Sequence, residues 1–472
     1  MRKIPSCIFA IVISAAPFAV GAQPALNTEG RFDPHWGDQG RMFANMGVQN
    51  LPYLGARLLV LPDRKLLLVG GCDTATGDVL CATRLQSTGS FDSSFGPNGS
   101  GRAIYDGMPQ YGAAPPQIAA APDGSVFVAT SRGLAVSRLG VDGTLQATFH
   151  FTYKPDDESP WEEINALTVQ PDGKVLAAGF VATVNVVDRP INVAFAVARL
   201  LPDLSGLDTS FGNGGVRLID FDVAPACTDW PCNIDQAMAI AIQADGRIVL
   251  AGRAVGRYGM LVAARIAMAR LTTAGALDAG FGNLGDGRAV YSFGDPYWQD
   301  TTAMALDAQG RVLLTGGYSL VGSNGGNVDI WVARFTATGW PDASFGQYGA
   351  NWLKLDLGGN KNDHANAIAV QCDGKVLVAG QAASGDLNEF FVARFRVDGT
   401  LDSANFSANQ GWTAGAFLPP HGIVAAADAV AHSIALGNGG LIVAGIGSDA
   451  RGDYHFGIAR VRLAAYVANG CH

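Results

Sequence analysis

The chain repeats one short phrase seven times, and this repetition constrains its fold more than any other feature. The phrase is close to Asp-x-x-Phe-Gly, and its copies follow one another at steps of 54 to 70 residues. The copies begin at Asp33, Asp92, Gln146, Asp208, Asp278, Asp342 and Asp402. A period of this length is typical of arrays whose units cannot bury their apolar faces alone and stack on their neighbours. The sequence therefore predicts a repeat architecture.

Each repeat has the pattern of four short strands. In the fourth unit, residues 235–243 alternate small and branched apolar side chains, and residues 244–247 form a glycine-containing turn. A second strand is predicted over 248–252, a third over 262–271 and a fourth over 287–293. The other units follow the same order without a helical period. The predicted fold is all-β, a seven-bladed β-propeller of four-stranded antiparallel blades.

The alanine-rich first strand of each unit is predicted to be innermost, because small side chains fit where blades crowd the axis. These strands are expected to start near Leu51, Pro116, Glu162, Asp235, Asp300, Asp363 and Asp428. The last unit ends near Leu463 with only three strands, whereas residues 40–46 form a strand with no unit of their own. We therefore expect the N-terminal strand to close the last blade, which removes an open edge.

The chain begins with a pattern typical of a secretory signal peptide over residues 1–22. Arg2 and Lys3 precede an apolar run from Cys7 to Val20, and small residues lie before Gln23. The predicted organisation is a signal peptide (1–22), the propeller (23–463) and a C-terminal tail (464–472). The mature protein is expected to be exported, either periplasmic or secreted.

The composition limits the classes of binding partner that we expect. The formal net charge is −9, and no basic cluster is present, so nucleic acid is not an expected partner. No later apolar run is long enough to predict a membrane span. A monomer that binds a protein or carbohydrate ligand is expected.

Several longer segments resemble a known bacterial family, the delta-60 repeat. They include LDTSFG, AIAIQADGRIVLAG, ALTVQPDGKVLAAG, AIAVQCDGKVLVAG and FFVARFRVDGTLD. The resemblance covers nearly all of the mature chain. It implies exported, propeller-like proteins, and it brings no catalytic residues to this sequence.

One arginine recurs at the same place in every third strand: Arg84, Arg138, Arg199, Arg270, Arg334, Arg394 and Arg460. In most units the acid of the phrase follows eight or nine residues later. A cation in a strand packed between neighbours needs a partner. We expect each guanidinium to meet a phrase carboxylate or a loop carbonyl and to be structural.

A second recurring set lies at the start of the inner strands: Glu162, Asp235, Asp300, Asp363 and Asp428. One interpretation is a side-chain cap that starts each strand. The other is a ring of carboxylates on nearly the same face, which would bind a metal such as Ca²⁺ or a cationic ligand. The sequence requires no cofactor, and Ca²⁺ is the ion that such a ring favours.

The loops that enter the inner strands vary most among the repeats, over residues 107–115, 153–161, 222–234, 294–299, 357–362 and 418–427. Variable loops on a rigid scaffold suit ligand binding. The candidate ligand-binding residues are Trp161, Trp230, Tyr297, Trp298, His364 and His421. No nucleophile motif and no histidine pair with zinc-helix spacing is present, so no catalytic residue is assigned.

The sequence favours a binding or interaction module of the cell envelope or extracellular space. The alternative is a metal-dependent propeller hydrolase or lactonase in which Asp235, Asp300 and Asp363 hold the metal. Convergence of three or four such groups on one point would favour the enzyme. A quinone-dependent dehydrogenase would need tryptophan-docking repeats and clustered basic residues at the axis, which the sequence lacks.

Six cysteines follow the leader: Cys72, Cys81, Cys227, Cys232, Cys372 and Cys471. An even number in an exported protein favours disulfides. From the predicted blade register we expect the pairs 72–81, 227–232 and 372–471.

Overall fold

The computed structural model describes most of the chain between residues 29 and 463. The described residues are 29–50, 55–75, 77–109, 115–130, 134–151, 161–184, 191–221, 234–258, 261–293, 297–320, 328–346, 351–357, 362–384, 387–417, 428–437, 439–449 and 451–463. The predicted signal peptide and C-terminal tail lie outside this range.

The described secondary structure consists of strands and one short 3₁₀ turn at Pro97–Gly99. The first strands in chain order are β1 (Arg41–Ala44), β2 (Gln49–Asn50), β3 (Ala56–Val60), β4 (Leu66–Thr74), β5 (Gly77–Leu85), β6 (Arg102–Pro109), β7 (Gln117–Ala120), β8 (Val126–Thr130), β9 (Ala135–Leu139) and β10 (Leu145–His150). The next are β11 (Trp161–Val169), β12 (Val175–Val184), β13 (Ile191–Leu200), β14 (Val216–Ile219), β15 (Ile234–Ile242), β16 (Ile248–Tyr258), β17 (Leu261–Leu271) and β18 (Arg288–Tyr291). The last are β19 (Tyr297–Leu306), β20 (Val312–Leu320), β21 (Asp329–Phe335), β22 (Trp352–Leu355), β23 (Asp363–Val370), β24 (Val376–Ser384), β25 (Leu387–Phe395), β26 (Trp412–Gly415), β27 (Ala429–Gly437), β28 (Gly440–Ser448) and β29 (Tyr454–Arg462).

Consecutive strands pair antiparallel into four-stranded units. The strands β7–β10, β19–β22 and β23–β26 each form such a sheet, and β3–β6 form another that β2 extends. The strands β11–β14 and β15–β18 form two more units, joined by a single parallel pairing of Val193 with Ile234. The predicted all-β fold of four-stranded antiparallel sheets is confirmed.

The N-terminal strand pairs with the end of the chain. Arg41 lies opposite Ala459 and Ala44 lies opposite Phe456, so β1 is antiparallel to β29. The resulting sheet has the order β1, β29, β28, β27. The pairing predicted for this segment is therefore present.

The first strand of each unit contacts the first strand of the next unit. Contacts run from β3 to β7, β11, β15, β19, β23 and β27 in turn, and β27 also contacts β3. The axis in the following sections is the line that these seven strands surround.

The hydrophobic core lies between neighbouring sheets. One cluster joins Phe195 and Phe211 of the third unit to Leu250 of the fourth. Another joins Leu66 of the first unit to Phe456 of the last. Because each sheet is covered on both faces, its middle strands are nearly continuous runs of apolar residues and glycine.

A β-bulge recurs in five of the first strands, and a glycine lies opposite it. The bulged residues are Asn165, Met238, Thr302, Asn366 and His432. The opposing glycines are Gly179, Gly252, Gly316, Gly380 and Gly445. A Cβ atom on Gly316 would lie 1.6 Å from the carbonyl oxygen of Asp300, and the other four glycines are similarly crowded. In these five units, the glycine that ends the Ala-Gly or Thr-Gly phrase of the second strand is thus required by the bulge.

Among the described residues, no helix has the length and apolar character needed to cross a bilayer.

Candidate axial binding site

The recurring arginine and the phrase meet at the turn end of each unit, where the first strand turns into the second. In the fifth unit, the Nε atom of Arg334 lies 2.8 Å from Oδ2 of Asp342. Its Nη1 donates to the carbonyl of Val397 in the next unit at 2.7 Å, and its Nη2 donates to the Ser344 hydroxyl at 2.9 Å. The guanidinium carbon lies 4.7 Å from the centre of the Phe345 ring. The phrase therefore supplies an anion, a hydroxyl and an aromatic face to one cation.

The same pairing recurs in four other units: Arg84–Asp92, Arg199–Asp208, Arg270–Asp278 and Arg394–Asp402. Two units differ. Where Gln146 replaces the acid, Arg138 pairs with Asp123 in the turn before the second strand. In the last unit, Arg460 lies 3.4 Å from Asp33 of the N-terminal phrase. We call these seven pairs the arginine ladder, and its geometry is that of a structural element.

The ladder keeps Asp208 ionised near pH 7. For Asp208, hydrogen bonds from the Ser210 hydroxyl and backbone N–H and from Lys174, together with the charge of Arg199, outweigh the opposing effect of burial. These interactions hold the pKa of Asp208 well below its ordinary value.

A cavity of about 200 Å³ lies on the axis, surrounded by the first strands. Every unit contributes at least one side chain to its wall. The polar lining residues, together with Met238 of the fourth unit, are Arg57, Gln117, Asn165, Met238, Thr302, Asn366 and Ser433. Arg57 is the one charged residue among the described lining residues. We call the seven the axial ring.

Several members of the axial ring link neighbouring units by hydrogen bonds. The Asn165 amide donates to the carbonyl of Ala237 at 3.0 Å, and the Asn366 amide donates to that of Ala431 at 2.9 Å. The Thr302 hydroxyl donates to the carbonyl of a residue in the next first strand at 2.6 Å. All three donors are bulged residues, so the bulge directs a polar group toward both the axis and the next unit.

Arg57 occupies the equivalent region of the first unit. Its Nη1 donates to the carbonyl of His432 at 2.7 Å, while its Nε is buried without a hydrogen-bond partner. Burial lowers the pKa of Arg57 to about 10. Burial, aided by the charge of Arg57, also lowers the pKa of His432 to about 3, so this histidine is neutral near pH 7.

The acidic residues at the entry end, where the first strands begin, differ in register. Asp235 and Asp363 each accept a backbone N–H from the end of the preceding unit, that of Phe221 and that of Leu357, both at 2.8 Å. In the fifth unit, Gln299 accepts the equivalent N–H at 3.2 Å. These three residues act as caps between units.

Asp300 and Asp428 are displaced from that register by one residue. Asp300 lies one position after Gln299 and accepts a hydrogen bond from Arg253 at 2.9 Å. Asp428 precedes its strand and accepts the backbone N–H of Asn388 at 2.8 Å. Among the four acids with described side chains, Asp300 and Asp428 thus have other partners than Asp235 and Asp363, because a one-residue shift in a strand reverses the side chain.

No group of three or more His, Cys, Asp or Glu side chains in the described ranges is arranged to hold a metal ion. The side chain of Glu162 lies outside these ranges. The proposed Ca²⁺ site stays a prediction.

The aromatic and histidine candidates are only partly described. Trp161 begins β11, and Tyr297 and Trp298 begin β19, so their backbones lie at the entry end. Their side chains, together with Trp230 and His421, lie outside the described residues. His364 is half-buried, and its Nδ1 lies 3.0 Å from Oδ1 of Asn366 in the axial ring. Their role in ligand binding stays a prediction.

Sequence reasoning missed the axial ring itself. The sequence does contain a pattern that points to this ring. When the alanine-rich strands are aligned with one another, one residue at the centre of each strand varies among the repeats. It is the residue after Ala237 in the fourth unit and after Ala365 in the sixth. Its variation among otherwise similar repeats could have singled it out.

One predicted disulfide is confirmed. Cys72 and Cys81 are bonded with Cα atoms 5.9 Å apart. They are not directly opposite, because Cys72 faces Val79 across the hairpin. The Asn50 amide lies 3.2 Å from Sγ of Cys72, and Oδ1 of Asn50 accepts the N–H of Phe456 at 3.1 Å, which links this disulfide to the last unit.

The other two disulfide pairings stay predictions. Cys372 is also disulfide-bonded. Cys227, Cys232 and Cys471 lie outside the described residues.

A family model described as "Domain of unknown function (DUF5122) beta-propeller" matches residues 243–281 and 371–404. No curated protein matches the chain at a significant level. The chain is similar to a solved virginiamycin B lyase from Staphylococcus aureus, with 11% identity over 90% of this chain and 98% of that one and a TM-score of 0.42. It is also similar to a polysaccharide lyase, PL25 ulvanlyase, with 9% identity over 92% and 96% and a TM-score of 0.46. Likenesses this distant say nothing about activity, whereas the family match agrees with a repeat family of the β-propeller type.

Proposed function

We propose that the chain is an exported seven-bladed β-propeller that acts as a binding module, with its ligand seated in the axial cavity. Seven four-stranded units, the closed order of contacts among their first strands and the pairing of β1 with β29 support the closed ring. The Cys72–Cys81 disulfide supports an oxidising compartment, periplasmic or extracellular.

The observation that carries the proposal is the variation of the axial ring. The ladder repeats the same residue types from unit to unit, whereas the axial ring presents an arginine, three amides, a methionine and two hydroxyls around one cavity. A concave site with a few convergent polar groups on a rigid scaffold is the usual form of a ligand site. Binding is the proposed role because the described wall combines one guanidinium with neutral hydrogen-bonding side chains, a set suited to holding a ligand.

The entry end is the proposed approach for the ligand. The predicted binding residues Trp161, Tyr297 and Trp298 lie on strands that begin there. A protein or carbohydrate segment that contacts these aromatic residues would direct one group into the cavity.

The test begins with a screen of the mature protein against glycan and peptide arrays. Ser433→Trp would then fill the cavity, because Ser433 lines it and is only partly buried. We expect at least a tenfold loss of affinity for the ligand that the screen finds, with an unchanged circular dichroism spectrum. Ser205→Trp, at an exposed turn away from the axis, is the matched control. Equal binding by Ser433→Trp, or turnover of the ligand by the wild type, would contradict the proposal.

A further inference from the structure

Arg57 differs from every arginine of the ladder in having no acidic partner among the described residues. Each ladder arginine lies against a carboxylate, whereas the one hydrogen bond of the Arg57 side chain goes to the carbonyl of His432. The N–H groups on its Nε and Nη2 have no acceptor in this part of the chain, and Nε is buried. A partly buried cation whose buried Nε–H lacks an acceptor is stabilised by an anion that reaches it.

The rest of the cavity wall supplies no anion among the described residues. The polar groups around Arg57 are the neutral side chains of Gln117, Asn165, Asn366 and Ser433, together with one threonine. The neighbouring His432 is neutral near pH 7. The cavity therefore combines a single positive charge with a ring of amide and hydroxyl groups that can donate and accept hydrogen bonds.

We propose that the axial cavity binds a small organic anion whose carboxylate pairs with Arg57 and whose hydroxyl or carbonyl groups bond to the axial ring. This inference rests on the proposed function and names the chemical class of its ligand. Guanidinium groups match carboxylates in both charge and geometry. The cavity of about 200 Å³ is small for a ligand site, which suits a small organic anion.

The experiment measures binding to the mature protein by isothermal titration calorimetry. The probes are acetate, gluconate and galacturonate as organic anions, glucose as a neutral analogue and inorganic phosphate as a second source of anionic oxygen. We expect at least one carboxylate to bind with 1:1 stoichiometry, and glucose and phosphate to bind at least tenfold more weakly. Arg57→Gln should reduce the affinity for that carboxylate at least tenfold.

The matched control is Arg247→Gln, which removes the same charge at a turn remote from the cavity. Arg247 is half-exposed and pairs with Asp245 and Asp278. Its binding should equal that of the wild type. Arg57→Lys keeps the charge but loses the planar fork, so we expect an intermediate affinity.

A second variant keeps the inference testable if Arg57→Gln does not fold. Ser433 follows the residue whose carbonyl binds Arg57, so Ser433→Asp would place an internal carboxylate beside the guanidinium. We expect this variant to unfold at or above the wild-type temperature and to lose carboxylate binding.

The inference is overturned if none of the three carboxylates binds, if Arg57→Gln or Ser433→Asp binds them as the wild type does, or if glucose or phosphate binds as tightly. The binding module itself survives any of these results as long as Ser433→Trp still blocks the ligand found by the array screen. If the carboxylate result fails and Ser433→Trp also binds the array ligand as the wild type does, both proposals are overturned.

Discussion

The turn end and the axis are built from the same seven repeats, yet they use repetition in opposite ways. At the turn end, an arginine meets an acid in every unit, and the partner acid is supplied from elsewhere when the phrase lacks it, as Asp123 does for Arg138. At the axis, the equivalent strands present different side chains around one cavity. The arginine and its acid recur because every unit must pair a buried or partly buried charge. The axial residues vary because all seven line a single cavity, so no unit has to repeat the side chain of another.

The largest expected effect comes from breaking the ladder. Arg394 and Asp402 are both fully buried. Arg394→Ala would leave the carboxylate of Asp402 without its main cation, and we expect a loss of about 3–5 kcal/mol in the free energy of unfolding. Urea unfolding followed by circular dichroism measures it.

The control for that variant is Arg396→Ala, which contacts the same carboxylate from a side chain that is 42% exposed. It should cost at most about 1 kcal/mol. Similar losses for the two variants would contradict the structural role of the buried pair.

A smaller effect is expected at the bulge that supports the axial ring. A Cβ atom on Gly380 would lie 1.9 Å from the carbonyl oxygen of His364. Gly380→Ala should destabilise by about 1–3 kcal/mol, since the two strands must separate. Gly206→Ala, where the Cβ would meet no atom within 4 Å, is the control for thermal unfolding. If Gly380→Ala and Gly206→Ala unfold at the same temperature, the short distance between Gly380 and the carbonyl of His364 does not require a glycine.

The turn end and the entry end should respond to pH with opposite signs. The pKa of Asp208 is lowered in the fold, so its stabilising contribution is present above the unfolded value of about 3.9 and is lost as the pH falls. Burial raises the pKa of the entry-end residue Asp363, so its carboxylate costs stability as the pH rises above that value.

Two substitutions test these opposite effects of pH on stability. From pH 3 to pH 7, Asp208→Asn should lose stability relative to the wild type, whereas Asp363→Asn should gain. Melting temperatures across this range measure both trends. Trends of the same sign would show that the two carboxylates do not differ in this way.

The smallest expected change in stability lies in the axial ring. Asn366→Ala removes the hydrogen bond to the carbonyl of Ala431 and the contact with Nδ1 of His364 beside a cavity, and we expect a cost of about 0.5–1.5 kcal/mol. Asn165→Ala, at the equivalent bulge, should behave alike. If chemical unfolding shows a loss as large as that of Arg394→Ala, the axial ring would be as structural as the ladder.

Much of the fold was predictable because it depends on local pattern. Period-2 alternation and glycine turns predicted antiparallel strands, and a missing strand in the last unit predicted the pairing of residues 40–46 with it. Differences of one residue in strand register were not predictable from the pattern. Asp300 and Asp428 look equivalent to Asp235 in the sequence, but the bulges and strand starts place them in a different register.

The sequence by itself determined the number of repeats, the strand order within each and the pairing of a buried arginine with the phrase acid, because each follows from a need that recurs within one unit. Only the tertiary structure decided that Arg57, Asn165 and Asn366 face one cavity, since they are far apart in the chain and meet only when the first strands surround the axis. It also decided that Arg57 meets no acid among the described residues, because the partner of a charge is set by the neighbouring units that enclose it.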